Sequence, residues 1–574
     1  LYNSAVDMTG AQPAQAGLSV PQLTHKLTAE GVKKIVVCAE EPERHKGAQF
    51  ADGVLLWSRD RLDEAQRLLR ETKGVTVLIY DQQCAAEARR KRKRGTLPTR
   101  RTRVIINEAV CEGCGDCGVK SNCLSVQPVD TEFGRKTRID QTTCNTDYSC
   151  LDGECPSFVT VELPESGVTL ERPAIPSPPA CHATELAPIT RTHNVFLAGV
   201  GGTGIVTVNQ VLGMAALRAG LHVEGLDQTG LSQKAGPVVS HLRISTEPVA
   251  STNRISPASA DCVLAFDLLT AADSRYAGYG SADRTITVAS TSKTPTGDMV
   301  YDGSVAYPDE DALLERLEVS ARAVISFDAL AASQTLFGNT AAANFLLVGA
   351  AYQAGGLPVP AASIEEAISI NGVAVNANQM AFRWGRVAVE DPEAFRAATS
   401  ATTAAGRSDK AIPAHLLGTT TVSGPTRALL ERRAAQLVAY QGDRVAAEYI
   451  AAVQSAWESE RALGDRTEFS NSVATGMHRL MAYKDEYEVA RMLTDPSFLE
   501  AVQEKVPGGR KLTYKLHPPT LKALGRTKKI GLTPRTHGVL KVLAKGKFLR
   551  GTLFDPFGYA HVRRVERRLL AHYR

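Results

Sequence analysis

Seven of the eleven cysteines, at positions 111, 114, 117, 123, 144, 150 and 155, fall in one short window, whereas Cys38, Cys84, Cys181 and Cys262 are scattered. Disulfide frameworks in large chains spread their cysteines, so this crowding points instead to metal in a reducing cytosol. In VCEGCGDCGVKSNCLSV, Cys111, Cys114 and Cys117 are spaced CxxCxxC, which lets three thiolates from one turn converge on one iron–sulfur cube. Downstream, CNTDYSCLDGECPS repeats that spacing as Cys144, Asp147 and Cys150, then adds Cys155 before Pro156.

In proteins with two such motifs the fourth cysteine of each run ligates the other cluster, because the motifs pack about a pseudo-twofold axis. By that rule Cys111, Cys114, Cys117 and Cys155 hold one [4Fe-4S] cluster, and Cys144, Cys150 and Cys123 hold a second. Asp147 stands where the second cluster's fourth ligand belongs. It is either a carboxylate ligand or the mark of a labile iron and a three-iron form, and its alternative role is to cap a turn. An oxygen donor holds iron less firmly than thiolate, so the two clusters are expected to differ in potential. Zinc is the competing metal, but zinc sites pair two CxxC units rather than placing three cysteines in succession. The loops from Cys117 to Cys123 and from Cys150 to Cys155 are longer than in compact bacterial motifs.

A second candidate is AGVGGTGIVTV, which sets Gly199, Gly201, Gly202 and Gly204 between a strand signal and a helix signal, with Glu224 at the end of the following strand. Glycines permit a tight turn, and a helix N-terminus stabilises phosphate, so NAD or FAD fits this pattern. Close helix–strand packing accounts for it equally. The stretch DQTGLSQKAGPVVSHLRIS reads as a polar surface loop for a ligand or subunit. In the C-terminal part, His478, Lys484, Asp485 and Glu486 read as solvated or interfacial helix positions, not as catalytic groups.

These motifs must be carried by several domains, because 574 residues exceed what one hydrophobic core supports. The predicted class is multidomain α/β plus α. Residues 1–105 alternate strand and helix signals, 106–170 carry the cysteine window, 188–395 form a Rossmann-like α/β domain, and 410–574 are mainly helical. No stretch is long and apolar enough to span a membrane, and a net charge of +5 gives no general affinity for nucleic acid. The basic run from Arg89 to Arg103 reads as a solvated linker. Leu1 follows neither an initiator methionine nor a signal peptide, so the true start is expected upstream. The clustered cysteines lead to the expectation of a cytoplasmic protein.

Together LYNSAVDMTGAQP, CEGCGDCGVKSNCLSV, CNTDYSCLDGECPSFVTVE, GVGGTGI, NGVAVNANQMAFRWGR, LMAYKDEYEVARM and GTLFDPFGYA make the chain resemble fused indolepyruvate ferredoxin oxidoreductases of the 2-oxoacid:ferredoxin oxidoreductase superfamily. The resemblance implies oxidative decarboxylation of aryl 2-oxoacids to acyl-coenzyme A, with electrons leaving through two clusters to ferredoxin. It implies thiamine diphosphate with Mg2+, bound in part by Asn3 and Ala5 at the end of a partial thiamine-binding α/β domain. It recasts the glycine loop as part of a gamma-type domain associated with coenzyme A, and the cysteine window as a ferredoxin-like domain. No GDG occurs in the sequence, so the first Mg2+ carboxylate is expected from an upstream half or a separate subunit. A homo-oligomer is expected, with no catalytic residue assigned in this chain. The alternative is a non-catalytic electron-transfer and assembly subunit.

Overall fold

The computed structural model describes residues 18–83, 85–164, 175–184, 186, 189–229, 236–249, 251–400, 412–418, 420–517, 529–533 and 536–573. Asn3, Ala5 and Cys84 lie outside the described residues. The chain divides into two compact units, Leu1–Arg100 with Asn145–Asp147, and Arg101–Cys144 with Tyr148–Arg574.

In the first unit, β1 (Lys34–Ala39), β2 (Leu55–Ser58) and β3 (Thr76–Asp81) form a parallel sheet of order β2-β1-β3, flanked by α1 (Val20–Ala29) and α2 (Leu62–Glu71). Central β1 is an apolar run buried on both faces, as parallel strands covered by helices require. Part of the basic run forms α3 (Ala85–Lys93), and it is not merely solvated. Arg92 donates to the carbonyl of Asn145 (3.1 Å) and Arg100 to that of Thr146 (2.6 Å), which corrects the linker reading.

The second unit begins with the cysteine window. Antiparallel β4 (Thr102–Ile106) and β7 (Phe158–Glu162) enclose helix α4 (Asp116–Ser121), a hairpin of β5 (Val126–Thr131) and β6 (Gly134–Ile139), and a 3-10 turn at Ser149–Asp152. Each half thus runs strand, cysteine motif, helical turn, strand. The sheet does not stop there. β14 (Arg510–Leu516) pairs with the free edge of β7, and β15 (Ile530–Leu532) pairs with β14, giving the order β15-β14-β7-β4. The C-terminal region, expected to be mainly helical, therefore supplies two strands to the cysteine module.

The α/β domain holds a six-stranded sheet of order β13-β12-β11-β8-β10-β9. Its strands are β8 (His193–Val200), β9 (His222–Thr229), β10 (Pro237–Ser245), β11 (Cys262–Ala265), β12 (Ile286–Ser290) and β13 (Ala323–Phe327), and α5 (Ile205–Arg218) links β8 to β9. Residues 237–245 of the presumed polar loop are in fact β10, a central strand with Val238, Val239, Ser240, His241 and Leu242 buried. Its buried polar side chains are satisfied individually: Ser240 Oγ donates to Asp227 Oδ1 (2.5 Å), and His241 Nδ1 accepts the Ile255 N–H (3.3 Å).

The helical part contains α9 (Gly424–Tyr440), α10 (Asp443–Arg461), α11 (Glu468–Met481), α12 (Glu486–Leu493), α13 (His537–Lys545) and α14 (His561–Tyr573), after α6 (Gly297–Tyr301), α7 (Ala343–Gln353) and α8 (Val375–Glu390) of the α/β domain. The apparent single amphipathic run RAAQLVAYQGDRVAAEYIAAVQSAWESER is broken at Gly442, whose φ of 109° ends one helix and turns the chain into the next. Its core gathers Leu430, Leu437, Tyr449, Val453, Trp457 and Met477. Among the described residues no helix is long and apolar enough to cross a membrane.

Candidate functional site

The loop after β4 is fixed by Asn107, whose Oδ1 accepts the N–H groups of Ala109 (3.0 Å) and Val110 (3.2 Å). Its Nδ2 reaches across to the carbonyl of Met492 on α12 (3.0 Å). The turn then presents Cys111, and the N–H of Gly113 donates to Cys111 Sγ (3.3 Å). Gly115 takes a left-handed φ of 78° at the start of α4, and a Cβ there would collide with the carbonyl of Tyr301 on α6. Gly115→Ala should therefore displace the turn between Cys114 and Cys117, lowering hydrogen-exchange protection of α4 and the bound iron together, as read by hydrogen exchange and iron analysis.

Four thiols meet at this turn. Burial is the main cause that pushes the Cys117 thiol up to about 12, followed by the proximity of Cys111, Cys155 and Cys114. Cys155 is raised for the same first reason and feels Cys111 and Cys114 as well. Cys155 thus stands with the first motif although it follows the second in sequence. Its loop is held there because Asp116 Oδ2 accepts the N–H of Glu154 (2.8 Å), and Ser157 Oγ lies 3.0 Å from Cys155 Sγ. Buried thiols that oppose one another's ionisation suit a cationic centre, which deprotonates its sulfur ligands outright. Among the described residues no three His, Cys, Asp or Glu side chains are arranged to hold a single metal ion.

Of the other predicted ligands, Cys123 and Cys150 lie in one buried set with Cys111, Cys117, Val104 and Phe158, and Cys144 is half-buried. Asp147 lies in the stretch that groups with the first unit, between Thr146 (φ 55°) and Tyr148 (φ 69°), both in the left-handed region. A positive φ is uncommon for a bulky residue such as tyrosine. Cys114 is exposed. All ten described cysteines are free of disulfides.

Sequence reasoning missed the cations around this centre. Lys136 Nζ donates to the carbonyl of Cys111 (2.8 Å), and Lys484 Nζ donates to the same oxygen (3.2 Å) while pairing with Glu112. Lys484 is thus interfacial, one of the two roles expected of it, and lies in the loop before α12 and not on a helix. Asp485 forms a buried pair with Arg550, and Glu486 pairs with Arg563. His478 is buried against Phe133 and Tyr449, and burial drives its imidazole down to about 3. A lone lysine or histidine in a helical stretch carries no spacing signal that would have marked these partners.

At the glycine loop, Gly199 ends β8 where a Cβ would press on Ile205 and Phe266, so it serves the close packing of helix on strand. Gly202 (φ 85°) and Gly204 (φ 98°) make the left-handed turn into α5, and the Gly201 N–H bonds the Gly236 carbonyl (2.8 Å). A cavity of about 160 Å3 opens beside this loop, lined in part by Val200, Pro237, Asp267, Thr270 and Tyr276. Burial raises the Asp267 carboxyl, whose Oδ1 accepts from Thr270 N (2.8 Å). The dinucleotide reading does not survive the topology. β10 lies between β8 and β9, so the exposed Glu224 is two strands from the loop, not on the adjacent strand where a ribose contact is made.

Residues 194–388, the sheet and helices just described, match the protein family described as pyruvate ferredoxin/flavodoxin oxidoreductase. Over this region the chain is similar to indolepyruvate oxidoreductase subunit IorB of Thermococcus kodakarensis, 29% identical over 35% of this chain and 98% of the relative. The corresponding subunit of Pyrococcus horikoshii gives the same identity and shares. The common gamma subunit of pyruvate/ketoisovalerate oxidoreductases from Pyrococcus furiosus is 28% identical over 30% of this chain and 81% of its own length. Among solved structures, pyruvate oxidoreductase subunit PORC of Thermotoga maritima aligns at 19% identity and a TM-score of 0.26, covering 34% of this chain and 96% of its own. Residues 426–574 match a family described only as one of unknown function.

Proposed function

We propose that this chain is the electron-exit portion of an enzyme that oxidatively decarboxylates aryl 2-oxoacids to acyl-coenzyme A and passes the electrons to ferredoxin. The observation that carries the reading is the convergence of Cys155, which follows the second cysteine motif, on Cys111, Cys114 and Cys117 of the first. Such clusters, when bound, accept and release single electrons. The residues of this chain hold them: Cys111, Cys114, Cys117 and Cys155 for one, and Cys123, Cys144, Cys150 and Asp147 for the other. The exposed Cys114 marks the side of the first centre nearest solvent, which suits departure of an electron to an external carrier.

In this reading, Gly199 lets α5 pack close to β8, Gly201, Gly202 and Gly204 turn the chain into α5, and the N-terminus of α5 favours the phosphates of coenzyme A. Asn3 and Ala5 contribute to a Mg2+ site for thiamine diphosphate that an upstream half or a partner subunit completes. The assembly works in the cytoplasm as a homo-oligomer, without nucleic acid or membrane.

Anaerobically purified protein should contain iron and sulfide in near-equal amounts, and little zinc. Reduction of a viologen by arylpyruvate and coenzyme A should require the thiamine-binding partner. Zinc in place of iron and sulfide would end the proposal. The alternative of a subunit without turnover of its own is favoured by the subunit names of the relatives; activity from the isolated chain would dismiss it. For Asp147, the expected result of Asp147→Cys is a changed spectrum and greater oxygen tolerance of the second cluster. An unchanged electron paramagnetic resonance signal would remove Asp147 from the ligand set.

A further inference from the structure

The region of unknown function folds onto the cysteine module, and what it brings there is positive charge. Its strand β14 covers the edge of β7, β15 covers β14, and the residue immediately before β15 is Lys529. The Lys529 ammonium sits 4.1 Å above the ring centroid of Phe158, a member of the buried set that contains Cys111, Cys117, Cys123 and Cys150. Its Nζ is buried and finds no hydrogen-bond partner among the described residues. The anionic groups facing it are Cys155, Cys150, Cys117 and Asp116. A buried ammonium without a hydrogen bond is costly unless something negative stands beside it. Thiolate-bound clusters carry net negative charge, and they become more negative on reduction.

Lys484 approaches the same centre from another side through the carbonyl of Cys111, but its situation differs. Lys484 and Lys136 share Glu112, so one carboxylate offsets much of their field. Among the described residues Lys529 forms no ion pair with a carboxylate, and Asp116 is the one carboxylate among the groups that face it.

We propose that the C-terminal domain sets the reduction potential of the cluster at Cys111, Cys114, Cys117 and Cys155, with Lys529 as the principal positioning residue and Lys484 as a lesser one. The inference rests on the assignment of those cysteines as cluster ligands. Each reduction adds one electron to the cluster, supplied by the 2-oxoacid in turnover or by dithionite in a titration. A fixed positive charge stabilises the reduced state, so its removal makes the cluster harder to reduce.

The test is an anaerobic potentiometric titration followed by electron paramagnetic resonance on the full chain. At the ambient potential that half-reduces the wild-type cluster, Lys529→Met should lower the ratio of reduced to oxidised cluster about tenfold, a downward shift of about 59 mV. Lys529→Arg should stay close to wild type, and Lys484→Met should lower the ratio by about twofold. Should Lys529→Met fail to load iron, Lys529→Gln, neutral and shorter, carries the same expectation. An unchanged potential in a neutral variant with wild-type iron, sulfide and line shape overturns the proposal. Wild-type protein without iron and sulfide would instead overturn the ligand assignment on which it stands.

Discussion

Serine at Cys155 is expected to remove the same cluster as serine at Cys117, cutting bound iron by about half and viologen reduction by on the order of a hundredfold or more. Cys155 follows the second motif in sequence, yet its thiol stands with Cys111, Cys114 and Cys117. The bond from the Glu154 N–H to Asp116 at 2.8 Å fixes that crossing in the backbone itself. Serine keeps the size of cysteine and its contact with Ser157, so the fold should survive while the softer donor is lost. Iron and sulfide analysis, together with spectra of the two variants, gives the check. If Cys155→Ser instead reproduces the spectrum of Cys150→Ser, the motifs do not exchange their fourth ligands.

The second large effect is expected at Arg550. Its guanidinium and the Asp485 carboxylate expose only 5% and 3% of their side chains, so neither charge is solvated if its partner is removed. Arg550 Nη2 donates to Asp485 Oδ1 (2.8 Å), Nη1 donates to the Tyr440 carbonyl (3.0 Å), and the group lies 3.7 Å above the Tyr440 ring. Arg550→Met leaves Asp485 buried without its counter-ion, holding only the Glu488 N–H that it caps (2.9 Å), which should cost about 3–5 kcal/mol. Hydrogen exchange localised to α12 is the suitable measurement, since a chain of several domains does not unfold in one step. Replacing both partners by apolar residues should recover much of the loss, because the pair itself contributes little net stability. Asp485 adjoins Lys484, so the single variant should also loosen the contact with the Cys111 carbonyl and weaken cluster retention.

The centre was legible where chemistry imposes spacing. Thiolates from one turn can share a cluster only at short intervals, so Cys111, Cys114 and Cys117 stood out as candidates; Cys155 was grouped with them by the rule that paired motifs exchange their fourth ligand, and its thiol lies near theirs. Lys484 and Lys529 were invisible for the opposite reason: a single cation reaches its target through tertiary packing, and no interval in the sequence records it. Strand order was equally hidden. Helix α5 follows β8 and leads into β9 as a dinucleotide fold demands, but the insertion of β10 between them depends on antiparallel pairing that local patterning does not encode. The basic run was misread because composition alone cannot tell a solvated arginine from Arg92 and Arg100, which each satisfy a backbone carbonyl beside Asp147.

The sheet β15-β14-β7-β4 joins Thr102–Ile106 to Ile530–Leu532, so its outer half is translated hundreds of residues after its inner half. A nascent chain on the ribosome therefore displays an uncapped β7 edge and half-walled thiols for most of its synthesis. In the proposed reading, insertion of iron and sulfide follows the pairing of β14 with β7. A prematurely stopped product that ends before β14 would emerge as an aggregation-prone, oxygen-vulnerable stub instead of a smaller working carrier.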